Sequence, residues 1–84
     1  MPVLSRFCGI TIKMYFRQSE HNPPHIHAAY QDEVGLFSLE DGDMFEGDMQ
    51  VRHQQKIKLF IRRYRENLFH MWETQQFNNL PYED

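Results

Sequence analysis

From Phe7 to Arg17 apolar side chains fall at Cys8, Ile10, Ile12, Met14 and Phe16, with Thr11, Lys13 and Tyr15 between them. A period of two is that of a half-buried strand, so this stretch predicts the first strand. Ser19 to Pro24 breaks the pattern. Asn22-Pro23-Pro24 offers few amide donors to a sheet, and residues before proline are driven out of the helical region, so a turn is expected there. Alternation resumes from His25 to Gln31, with Ile26, Ala28 and Tyr30 on one face and His25, His27 and Ala29 on the other. A third strand is predicted over Leu36 to Glu40. Asp41-Gly42 is a two-residue hairpin signal, and a short fourth strand follows around Asp43 to Gly47. Short connections imply an antiparallel meander.

Beyond Gln50 the period changes. Ile57, Phe60, Ile61, Tyr64, Leu68, Met71 and Trp72 fall within an arc of roughly 120° when wound at about 100° per residue, which predicts one long helix over about residues 50–76. Asp48 is the expected N-cap, with no capping box behind it. The apolar stripe has only the sheet to lie on. The predicted fold is therefore α+β, a four-stranded, mainly antiparallel sheet packed on one long C-terminal helix, with the whole chain, 1–84, as a single domain.

Composition agrees with a small globular unit: 84 residues, 40% of them apolar and 14% aromatic. A lone cysteine, Cys8, excludes an internal disulfide framework and suits a reducing compartment. Arg6 and Lys13 interrupt the first apolar stretch, and no run approaches the length of a membrane span, so a cytoplasmic location without membrane contact is expected. Nine basic against 12 acidic residues leave a net charge of −3, which gives no general reason to expect nucleic acid. The distribution is more telling. Asp32 to Asp48 holds seven acidic residues and no Lys or Arg, whereas Gln50 to Trp72 holds six basic residues and the single acid Glu66. Such a bipolar chain steers charged partners.

The candidate chemistry lies in His21-Asn-Pro-Pro-His-Ile-His27. His25 and His27 are two apart on a strand and project from one face, and the proline turn can fold His21 back towards them. Three converging imidazoles would suit Zn²⁺ or another transition metal, with a position left for water or substrate, so His21, His25 and His27 are the candidate metal ligands. No organic cofactor is expected. The same three residues are candidate catalytic groups without metal. A neutral and a protonated histidine in one cleft serve as general base and acid near pH 7, as cleavage of RNA through its 2′-hydroxyl requires. Lys13, Arg17 and the helix residues Arg52, Lys56 and Arg63 are the candidate phosphate or RNA contacts. The competing reading is structural: the histidines tie down the turn, and the helix cations are a solvated surface whose stems cover apolar area. Cys8 alternates with the core set and is expected to be a small buried hydrophobe. A nucleophile elbow, a phosphate-cradling glycine loop and a zinc-ribbon cysteine pair are all lacking, which removes several large enzyme classes.

Met1-Pro-Val-Leu-Ser-Arg-Phe7, Gly9-Ile-Thr-Ile-Lys-Met-Tyr-Phe16 and His21-Asn-Pro-Pro-His-Ile-His27 with Tyr30 resemble a small bacterial family, the domain of unknown function numbered 4160 in its series. Asp41-Gly42, Glu46-Gly47, Asn67-Leu68 and Met71-Trp72-Glu73 extend the resemblance along nearly the whole chain. The family often has an acidic residue before the first histidine, as Glu20 is here, and a longer charged residue after the third, where this chain has Ala28-Ala29. Members are often encoded beside another small protein, and some are labelled the toxin component of a toxin–antitoxin pair. The resemblance therefore implies a small cognate protein partner. Three functional readings stand together: a toxin-like or regulatory module acting with such a partner through the acidic hairpin or an exposed sheet edge; a metal-dependent or histidine acid–base enzyme acting on RNA or nucleotides; and a structural protein-interaction module. An open edge strand also leaves room for a homodimer.

Overall fold

The computed structural model describes residues 3–14, 24–76 and 80. Five strands, β1 (Val3–Phe7), β2 (Ile10–Lys13), β3 (His25–Tyr30), β4 (Glu33–Ser38) and β5 (Met44–Asp48), are followed by two helices, α1 (Val51–Arg63) and α2 (Arg65–Thr74). The strands form one antiparallel sheet in the order β1-β2-β3-β4-β5. The class and the meander agree with the sequence reading; the counts of strands and helices do not.

The expected first strand is instead the second half of a hairpin. Cys8 and Gly9 both adopt positive φ, 50° and 77°, between the paired residues Phe7 and Ile10. Two such residues make the mirror-image turn whose twist matches that of the flanking strands. Cys8 is consequently half-buried against the core, not inside it. Ile10, Ile12 and Met14 keep the predicted phase and are buried. A second tight turn, Gln31-Asp32, links the paired residues Tyr30 and Glu33, so β4 begins three residues before Leu36.

Leu4, Phe7, Ile10, Ile12, Ile26, Ala28, Phe37, Ile57, Phe60, Ile61, Leu68, Met71 and Trp72 belong to one buried cluster. Phe7 stacks on Phe60 with centroids 5.2 Å apart, fixing α1 across the sheet. The long helix is interrupted at Tyr64 (φ −111°, ψ 23°), yet Tyr64 N–H donates to Phe60 O and its carbonyl accepts from Leu68 N. The apolar stripe thus passes through the break in phase, and α2 ends at Gln75, which is left-handed with φ 58°.

Asp48 lies in β5 and does not cap the helix; Gln50 occupies that position without a side-chain cap of its own. Glu33 of β4 supplies the missing acceptor. Its carboxylate receives the Gln50 backbone N–H at 3.2 Å, Gln50 Nε2 at 3.1 Å and His53 Nδ1 at 2.9 Å. It fills from outside the helix the role of the acid at the third helical position of a capping box, and it places negative charge at the positive helix end.

Beyond α2, the Leu80 amide donates to Leu4 O at 2.7 Å, so β1 receives a contact on its outer edge. Among the described residues, β5 pairs only with β4.

Candidate functional site: the histidine face of the sheet

Because Ile26 and Ala28 point into the core, His25 and His27 project from the opposite face of β3. Their ring centroids are 5.2 Å apart. The predicted convergence of these two imidazoles is therefore present. His21 and Arg17 lie outside the described residues. Among the described residues, no group of three or more His, Cys, Asp and Glu side chains is arranged to hold a metal ion.

Strand register determines what surrounds the pair. His27 lies opposite Lys13 on β2 and Leu36 on β4, and Leu36 lies opposite Glu46 on β5. The parallel row is Thr11, Ala29, Val34 and Asp48. All of these residues except Asp48 line a depression of about 420 Å³ on this face. Lys13, His27 and Glu46 are its polar and charged lining apart from Thr11.

His25 does not line this depression; it stands at the first position of β3, at the end of the sheet, where its ring is 5.2 Å from that of the core residue Trp72 and 5.7 Å, edge-on, from that of Phe45. Partial burial, reinforced by the neighbouring His25, lowers the pKa of His27 to about 4. His27 is therefore neutral at pH 7, and one of its two ring nitrogens carries no proton, the form that a metal ion or a proton donor requires. Lys13 places a cation beside it in register, as a phosphate contact would need.

The helix candidates do not gather here. Arg52, Lys56 and Arg63 are exposed on α1, which packs on the other side of the sheet. The Arg63 guanidinium lies 5.7 Å from the centre of the Tyr64 ring. His53 is also elsewhere: it is buried at the N-terminus of α1, bonded to Glu33 and packed on Tyr30 at 4.0 Å between centroids. Tyr30 is at the far end of β3 from His25, about 17 Å away at the usual rise per residue.

Sequence reasoning missed Val34, Phe45, Glu46 and Trp72 as neighbours of the histidines. Val34 and Phe45 had a detectable signal, being large apolar residues out of phase with the core set, which on a short strand predicts an exposed position.

The profile of the family described as Domain of unknown function (DUF4160) matches residues 9–73, most of the chain, from β2 through α2. The chain belongs to this family. The match spans Lys13, His25, His27 and Trp72, so the histidine face lies within the family's common domain. No match was found among curated proteins or among solved structures. Among the described residues, no helix is long and apolar enough to cross a membrane.

Proposed function

We propose that this chain is a partner-binding regulatory module, toxin-like in the sense of its family's labelled members, which engages a small cognate protein in the cytoplasm along β5 and the acidic β4–β5 hairpin. The observation that carries this reading is the inequality of the two sheet edges: Leu80 bonds to β1, whereas β5 pairs on one side only among the described residues. On β5, Phe45 is 46% exposed and Glu46 and Asp48 are solvent-facing; Asp41 and Asp43 flank the turn leading to it. An extended segment with basic side chains would add main-chain hydrogen bonds to that edge and seat an apolar residue on Phe45. The irregularity between Leu36 and Phe37 in the β4–β5 register limits which strands fit, as edges guarded against indiscriminate pairing do.

The test is co-expression with the protein encoded beside it. Growth arrest by the chain alone, relief by the neighbour, and loss of the complex in Phe45→Glu support the reading. Unimpaired growth together with no complex on co-purification overturns it.

A second reading, an enzyme that uses His25 and His27 with or without a metal ion, is favoured by the approach of the two rings and the neutral state of His27. It predicts saturable Zn²⁺ or Ni²⁺ binding in calorimetry that is lost in His25→Ala, or RNA cleavage lost in His27→Ala.

A further inference from the structure

The outer face of the sheet is graded in charge. From β2 to β5 one row reads Lys13, His27, Leu36, Glu46, a cation at one end, an anion at the other and a neutral, largely apolar middle. The next reads Thr11, Ala29, Val34, Asp48, in which a small residue and a large exposed one occupy the centre. We propose that this face pairs with the same face of a second copy of the chain, about a two-fold axis parallel to the strands and passing between β3 and β4.

Rotation about that axis lays each row against its own reverse. Lys13 meets the second copy's Glu46 at both ends, Leu36 meets His27, and Val34 meets Ala29. Strands are spaced about 4.8 Å apart, so the charged ends of the row are about 14 Å apart, and aligned sheets pack about 10 Å face to face, within reach of Lys and Glu side chains. The centre of the face offers apolar area to this contact. Val34 is 59% exposed, and with Thr11, Ala29 and Leu36 it lines the depression that the counterpart's side chain would enter.

A second copy is the occupant because the face supplies, in reverse order, the charges and contours that complement it; an isologous contact needs that property and nothing more. Neutral His27 suits a position that becomes buried. Face-to-face pairing leaves the outer edge of β5 open, so the proposal does not depend on the cognate-protein reading above.

Charge exchange tests it. The association of the full chain is measured by sedimentation velocity and light scattering over concentrations up to the millimolar range. Lys13→Glu alone and Glu46→Lys alone each place like charges together at both ends and raise the dimer Kd by roughly tenfold or more, whereas the double variant returns it to within about threefold of the parent. Val34→Arg, at an exposed position, leaves the circular dichroism spectrum unchanged and abolishes the dimer. A parent chain that stays monomeric throughout, or a dimer indifferent to the single charge changes, or a double variant no tighter than the singles, overturns the proposal.

Discussion

At the scale of single residues, His27 shows how a half-buried imidazole affects both chemistry and stability. Its pKa is lowered from 6.5 to about 4, first by burial and then by the neighbouring His25. Between those values the unfolded chain binds the proton more readily than the folded one, so acidification through that window favours unfolding. His27→Gln removes this linkage. In urea titrations the parent should lose more stability than the variant on going from pH 7 to pH 5, with the two converging in slope above pH 7. Gly47 illustrates a different constraint. Its φ of 114° and its register opposite Gly35, whose Cα would lie 2.6 Å from an added Cβ, leave space for glycine only. The Glu46-Gly47 pair named in the family resemblance is thus explained on the glycine side by backbone approach, not by chemistry at the histidines.

At the scale of elements, the junction between the β3–β4 hairpin and α1 is governed by Glu33. The hydrogen bond from His53 is the foremost cause holding its carboxyl below the usual carboxylate range, and the Gln50 bonds act in the same direction. The stabilisation this represents is complete above the ordinary carboxylate pKa and is lost as pH falls through the lowered value. His53→Ala deletes a buried ring and leaves the carboxylate short of a donor; it should cost about 2 kcal/mol in denaturant titrations at pH 7. Glu33→Gln should destabilise less, and a double-mutant cycle between the two should show coupling; additivity would mean that the contact does not hold α1 in place. The elements were largely legible wherever one period dominated: Ile26 and Ala28 inward with His25 and His27 outward, and a stripe from Ile57 to Trp72. What escaped is physical in origin. Cys8-Gly9 turns the chain without disturbing the apolar alternation that precedes and follows it, and Gln31-Asp32 turns through a left-handed glutamine (φ 53°), a residue that composition does not mark. The break at Tyr64 is signalled by neither glycine nor proline. The cap of α1 comes from a strand residue 17 positions away from Gln50, a distance over which local spacing carries no information.

At the scale of the whole molecule, charge is divided between two surfaces. The acidic stretch from Asp32 to Asp48 forms β4, its turn and β5, while the cations of α1, Arg52, Lys56, Arg62 and Arg63, are exposed on the helix layer. The two surfaces meet where Lys58 Nζ reaches Asp43 Oδ1 at 2.9 Å across an exposed pair. A partner that docks on the acidic β5 side should therefore associate faster at low ionic strength, with the rate falling by roughly tenfold or more between about 10 and 150 mM salt while dissociation changes little. A rate independent of salt, measured by stopped flow with the cognate protein, would place the contact on another surface. Of the candidate site, the shared outward face of His25 and His27 was legible in the sequence, but their neighbours on the other strands were not. The rows joining Lys13 to Glu46 and Thr11 to Asp48 arise from strand register, which brings together residues more than 30 positions apart.

The bond from Leu80 to Leu4 also bears on how far association can go. Endless side-by-side stacking of sheets into a fibril requires every subunit to offer two vacant borders, one to receive and one to give. Here Leu80 already bonds to the border at β1, and among the described residues β5 is the edge strand that pairs on one side only. A second molecule adding at β1 would have to displace the Leu80 bond, which weighs against growth along that direction and in favour of finite complexes.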